Sequence, residues 1–246
     1  MKKFTSIGLL ILMGSLALSF NGCKKDDSDD PTPTPPAKVF NFKIDYNVDG
    51  AALLFDSMMY LNSAGNQYSI NKIHYYLSGF KFTAANGAST SSDTVIYVEA
   101  QPGSPNTFQI KGLEFGSFTS VSFLIGLDSA QNITDALPNT VANLNMAWPE
   151  PMGGGYHFMK FEGNFMNQGA SYGFAMHLGK NPHLVAINLQ RPIYVQSPTD
   201  IISLNMNINE WFKNPSIYDL NTDGNYSMGN DAAMLKLSQN GFDVFN

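Results

Sequence analysis

Four histidines, a single cysteine and one oxygen-rich turn are the residues of this chain whose types and spacing could do chemistry. Neutral imidazole is a common transition-metal ligand, so each histidine is weighed by what shares its strand face. His177 stands in Tyr172-Gly-Phe-Ala-Met-His-Leu-Gly179. Alternation puts Tyr172, Phe174, Met176 and Leu178 on one face and His177 on the other, with Ser171, Gly173 and Ala175, whose small side chains leave room beside the imidazole. His74 shares a face with Tyr76, Ser78 and Phe80, and His157 shares one with Met159 and Phe161. His183 follows Pro182 at the start of a strand. Taken singly, a histidine in such a setting is more often a hydrogen-bonded structural residue than a ligand, and spacing alone identifies no metal site. Met146, Met152, Met159, Met166 and Met176 add thioethers, which favour Cu(I). Methionine also fills irregular cores, so none of the five is assigned as a ligand.

The oxygen-rich turn is Asp219-Leu-Asn221-Thr-Asp223-Gly224-Asn225. It places oxygen side chains at the first, third and fifth positions of an EF-hand-like loop and Gly at the sixth, a pattern that could hold calcium through Asp219, Asn221 and Asp223. Asn230 stands where the bidentate Glu belongs, and the same composition makes an ordinary turn. Catalytic templates are absent: there is no nucleophile elbow, no HExxH and no glycine-rich phosphate loop ending in Lys-Ser/Thr. Glu99, Glu114, Glu150 and Glu162 show no spacing that would pair two carboxylates. The chain therefore does not read as an enzyme.

Several segments together carry a resemblance. Met146-Ala-Trp-Pro-Glu-Pro-Met-Gly-Gly-Gly-Tyr-His-Phe-Met-Lys-Phe-Glu-Gly163 resembles the signature of the MbnP-like family, the methanobactin-associated copper-binding proteins and their relatives. Members show Met-aromatic-Trp, a second Trp two residues on, Gly-Tyr, an aromatic, and Lys-aromatic-Glu-Gly. Ile73-His-Tyr-Tyr-Leu-Ser-Gly-Phe80, Phe123-Leu-Ile-Gly126, Phe174-Ala-Met-His-Leu-Gly179, Met228-Gly-Asn230 and Asn240-Gly-Phe-Asp-Val-Phe245 are similar to further family segments, in order. The resemblance implies copper binding through histidine and through a tryptophan oxidised to kynurenine by a di-heme partner enzyme of the MbnH/MauG type. Kynurenine would offer an aniline nitrogen and a ketone beside imidazole. By position His177 matches the family histidine and Trp148 the first Trp, whereas Glu150, between Pro149 and Pro151, replaces the second. His74 is the expected second ligand because it stands in the Tyr-Tyr-Leu-Ser strand.

The elements that must position these residues are strands. From Val39, Phe40, Phe42, Ile44, Tyr46 and Val48 alternate with Asn41, Lys43, Asp45 and Asn47 until Asp49-Gly50 turns the chain. Further strands are predicted at 70–83, 94–100, 107–111, 120–127, 155–164, 171–178, 184–190 and 201–208. One short C-terminal helix is predicted over Asp231 to Gln239, and Leu53 to Met59 reads as strand or helical turn. The expectation is an all-β fold, an antiparallel two-sheet sandwich or barrel-like domain over 39–246.

The N-terminus predicts export. Lys2 and Lys3 precede an apolar stretch, Ile7 to Phe20, too short to span a bilayer comfortably, which reads as a signal peptide over 1–22. Cys23, the only cysteine, can take a diacylglycerol group; Gly22 before it fits a lipobox, although Phe20 and Asn21 do not. Lys24-Lys-Asp-Asp-Ser-Asp-Asp30 resembles the acidic export signal of surface lipoproteins in one Gram-negative group, and Pro31-Thr-Pro-Thr-Pro-Pro36 extends as a polyproline-type stalk. The tether thus spans 23–38. Charged residues are 14% of the chain, against roughly a quarter in an average soluble domain, and with a net charge of −6 no basic stripe remains for nucleic acid.

The expected protein is a lipid-anchored envelope protein at the outer membrane, displayed on the cell surface, that binds copper in metal acquisition or handling. Its expected partners are the membrane, through the anchor, and a di-heme enzyme or TonB-dependent transporter. The rival reading is a surface interaction module for glycan, peptide or protein that keeps the fold without the metal.

Overall fold

The computed structural model describes residues 38–246. The expected signal peptide, Cys23 and the expected tether up to residue 37 lie outside them. Twelve strands form two sheets: β1 (Val39–Val48), β2 (Ala51–Ala52), β3 (Tyr60–Leu61), β4 (Gln67–Thr83), β5 (Ser89–Ser92), β6 (Ile96–Ala100), β7 (Thr107–Lys111), β8 (Gly116–Ile125), β9 (His157–Asn167), β10 (Ala170–Gly179), β11 (Val185–Val195) and β12 (Ile201–Asn207). The smaller sheet runs β12-β1-β2, with β7 also on β1. The larger runs β10-β9-β4-β8-β11 and carries β3, β5 and β6 on β4.

This is the two-sheet alternative of the sequence reading; neither sheet closes into a barrel. One pairing departs from the antiparallel expectation. β1 and β12 run parallel from Asn41↔Ile201 to Asn47↔Asn207, because they lie far apart in sequence and need no hairpin between them. Two helices accompany the strands: α1 (Val141–Asn145), which no sequence signal announced, and the expected C-terminal α2 (Asp231–Asn240). Thr140 caps α1 by accepting from Asn143 N, and Asn230 caps α2 by accepting from Ala233 N. Leu53 to Met59 forms turns, neither strand nor helix.

The core fills the space between the sheets. Phe40, Phe42 and Ile44 of β1 are buried in alternation. They meet the larger sheet ring to ring, Phe40 against Phe82 at 5.1 Å between centroids and Phe42 against Phe80 at 5.5 Å. Burying each such side chain stabilises the fold by about 1.5–3 kcal/mol. Ile73, Phe161, Met159, Met176 and Leu178 on β4, β9 and β10 are buried too. The opposite face of these three strands is therefore free to carry polar groups, and Asn143 and Asn145 of α1, with Trp148, lie against part of it.

Candidate functional site

On that outer face the pairing register sets side chains in rows. His74 of β4 lies opposite Lys160 of β9, and Lys160 lies opposite His177 of β10. One row over, Lys72 lies opposite Glu162, and Glu162 opposite Ala175. His177 Nε2 is 2.9 Å from Glu162 Oε1, and Glu162 Oε2 is 3.2 Å from Lys72 Nζ. The hydrogen bond from His177, aided by Lys72, holds the Glu162 carboxyl down at about 2. Glu162 thus stays ionised and favours the tautomer with its proton on Nε2, leaving Nδ1 of His177 with a free lone pair.

The second imidazole at this place is His157, which sequence alternation assigns to the core face. A bulge moves it. Leu178 pairs with Met159 but Gly179 pairs with His157, so Phe158 is an extra residue on β9. An inserted residue turns everything beyond it to the other face. His157 therefore faces His177, ring centroids 5.1 Å apart at 84°. Its Nδ1 is 3.1 Å from the Met146 carbonyl oxygen, an acceptor, so Nδ1 carries the proton and Nε2 the lone pair. Burial, reinforced by Lys160 and His177, pushes its pKa down to about 3, so the ring is neutral at physiological pH. Both lone-pair atoms, His157 Nε2 and His177 Nδ1, are buried and have no hydrogen-bond partner in the protein.

Trp148 completes the wall. A bridge between Ala147 and Tyr156 ties its segment to the start of β9, and its indole lies against the His157 ring at 4.7 Å between centroids. The indole N–H donates to the Met152 carbonyl at 3.3 Å. Gly179 makes this possible, since a Cβ there would overlap the six-membered ring of the indole. Trp148, His157, His177 and Glu162 thus form one continuous line.

His74 is not part of it. It stands two strands from His177, about 10 Å at ordinary strand spacing, with Lys160 between them. Glu150 also lies apart, in the turn before β9. Among the described residues no group of three or more His, Cys, Asp or Glu side chains comes together in a way that could hold a metal ion. In the calcium-like loop, Asp219 Oδ1 accepts from Asn66 Nδ2 at 3.0 Å and Asn221 N at 2.9 Å. Asp223 Oδ2 accepts from Asp219 N at 2.8 Å and the Lys236 ammonium at 2.7 Å. These carboxylates are already engaged with protein donors, and Asn221 contributes its backbone N–H to the same turn.

Ser227, unremarked in the sequence, fixes His177. The segment Asn225 to Ser227 adds to the edge of β10, with Ala175 N donating to Asn225 O at 2.8 Å. The buried Ser227 hydroxyl accepts from His177 N at 2.6 Å and donates to His177 O at 2.7 Å. Ser227→Ala leaves both backbone groups unpaired and is expected to cost about 1–3 kcal/mol, read as a lowered denaturant midpoint. An unchanged midpoint would show that the hydroxyl is dispensable.

Comparison with known proteins agrees with this architecture. A sequence model of the MbnP family matches residues 37–229. No curated protein matches the chain. Among solved structures, MbnP from Methylosinus trichosporium is similar with a TM-score of 0.52 at 16% identity, covering 75% of this chain and 80% of that chain. That likeness is one of fold, and the match of the family model spans most of the domain. The chain belongs to the MbnP family.

Proposed function

We propose that this protein is a lipid-anchored envelope protein that binds copper, with His157 Nε2 and His177 Nδ1 as the ligands and Trp148 as the wall of the site. The observation that carries the reading is the pair of buried, unpartnered imidazole nitrogens on rings 5.1 Å apart. A buried acceptor without a donor costs free energy, and a bound cation would relieve two such costs at once. The neutrality of His157 suits this, because imidazole binds metal only when deprotonated. Copper fits the donor set better than zinc: zinc takes three or four protein ligands, whereas monovalent copper is content with two nitrogens. When bound, copper would supply a redox-active centre; the protein's part is to orient the imidazoles, His157 through Met146 O and His177 through Glu162.

Metal-free protein is expected to take up about one Cu(I) in a competition titration against a chromophoric chelator. The reading fails if wild type, expressed with its genomic neighbours, carries no copper and binds none more tightly than His157→Ala/His177→Ala. The interaction module would then take its place. Mass spectrometry of the peptide containing Trp148 tests for kynurenine, which would add a donor beside His157.

The anchor is proposed at Cys23. Cys23→Ser is expected to abolish fatty-acid labelling and to release the protein from the membrane fraction. Unchanged retention would place the anchor elsewhere. Exposure at the cell surface of the outer membrane is read by protease shaving of intact cells.

A further inference from the structure

The copper reading leaves His74 unused, and its surroundings have their own chemistry. β6 pairs with β4 so that Tyr97 lies opposite Tyr76 and Glu99 opposite His74. These four side chains share one face. The Tyr97 hydroxyl is 3.0 Å from His74 Nδ1, and His74 Nε2 is 3.7 Å from Glu99 Oε1. His74 Nε2 makes no hydrogen bond but faces the Glu99 carboxylate, itself bonded by Gln101 at 2.7 Å, whose charge favours the proton on Nε2 and leaves Nδ1 as the base that accepts from Tyr97. Burial lowers the pKa of His74, so its ring is neutral at pH 7; Glu99, Lys72, Glu162 and Lys160 are the charged groups around it. Burial, then Glu99, raises the Tyr97 hydroxyl to about 12, so the phenol and not the phenolate is present.

Among the eleven tyrosines, all within the described residues, Tyr97 is the one whose hydroxyl meets a basic nitrogen. Tyr76 donates to the Asn143 amide oxygen at 2.8 Å, and Tyr156 accepts from Leu137 N at 3.0 Å. Yet these rings contact Tyr97 in succession, each edge to face with the next. Tyr97 and Tyr76 are 5.8 Å apart between centroids, Tyr76 and Tyr156 6.1 Å, and Tyr156 immediately precedes His157. Oxidation of a phenol at neutral pH requires loss of its proton, so a positive hole passed among these edge-to-face rings settles where a base waits.

We propose that Tyr97 and His74 form a proton-coupled redox site that collects oxidising equivalents from the edge-to-face ring pair Tyr156–Tyr76. A one-electron outer-sphere oxidant, such as a high-valent metal complex, takes one electron from the Tyr97 phenol. The phenolic O–H bond breaks and an N–H bond forms at His74 Nδ1. The products are a neutral phenoxyl radical and an imidazolium balanced by Glu99, with the oxidant reduced by one electron. The site stands without copper, so it is tested on metal-free protein.

The probe is photogenerated tris(bipyridine)ruthenium(III), with freeze-quenched electron paramagnetic resonance as readout. Wild type is expected to give a long-lived tyrosyl signal, formed more slowly in deuterium oxide because the proton moves with the electron. Tyr97→Phe is expected to lose that long-lived component, and His74→Gln, which keeps a hydrogen bond without the base, to shorten its lifetime. The exposed-ring control Tyr194→Phe should change neither. A full long-lived signal in folded Tyr97→Phe, or its loss in Tyr194→Phe, overturns the proposal. If Tyr97→Phe does not fold, wild type decides: absence of a solvent isotope effect on radical formation overturns it equally.

Discussion

Replacing either His157 or His177 by alanine is expected to weaken copper binding by two orders of magnitude or more, about 3 kcal/mol or above at 1.4 kcal/mol per decade. The proposed site has two protein nitrogens and would lose half its donors in either variant. Glu162→Gln is expected to have a smaller effect, about 10–100-fold, as do changes to groups that orient a metal-bound histidine. The amide oxygen of that variant could still accept from His177 Nε2 but would carry no charge to raise the basicity of Nδ1. His74→Ala and Trp148→Phe should stay within about tenfold of wild type, the first because Lys160 separates it from the pair, the second because a phenyl ring keeps most of the wall. Competition titration with each variant, checked first for native melting, reads these differences. Equal affinities for wild type and His157→Ala would remove His157 from the ligand set, and a hundredfold loss in His74→Ala would bring His74 back into it.

Acid is expected to destabilise the metal-free protein through the same histidine. The folded state holds His157 neutral, with its pKa depressed from 6.5 to about 3, while the unfolded chain accepts a proton at the ordinary value. The unfolded state therefore binds more protons below pH 6.5, and stability falls as pH drops from 6.5 towards 3. At 1.36 kcal/mol per unit the loss is of order 4 kcal/mol, a large part of the stability of a typical domain. Glu162 adds in the same direction lower down. Its carboxyl titrates at about 2 when folded against 4.5 when free, so its contribution is whole above 4.5 and disappears as pH falls through 2. Urea midpoints across a pH series read the slope. His157→Asn, whose amide can still donate to Met146 O, should flatten it between pH 6 and 4, roughly the interval in which only the unfolded wild type is protonated. A wild-type slope no steeper than that of His157→Asn would contradict the assignment of the buried neutral imidazole.

Much of the frame is legible residue by residue. The alternation of Phe40, Phe42 and Ile44 reads as a strand with one buried face and is one. Thr107 to Lys111 is legible to the residue, and α2 begins at Asp231, the acidic start from which the helix is predicted. His177 lies on the face opposite Met176 and Leu178, as period-two alternation demands. These are local properties: a side chain's face follows from its neighbours within the same strand, and a helix start from its cap.

Tertiary structure alone decided which residues meet His177. Alternation carries a side chain's direction only while the pairing is regular, and the extra residue Phe158 reversed it for His157. Nothing in the spacing of His-Phe-Met marks that bulge, which lies where Trp148 packs on His157 and against Gly179, residues from other segments. His74 is legible as a histidine on a polar face, but its distance from His177 depends on strand order, with β9 and its Lys160 between β4 and β10. Ser227 reaches His177 from 50 residues away. Sequence determined the faces of individual strands, which short-range sterics and hydrophobicity set. The site itself depends on strand order, register and one bulge, which are settled only when distant segments compete to bury the same surface.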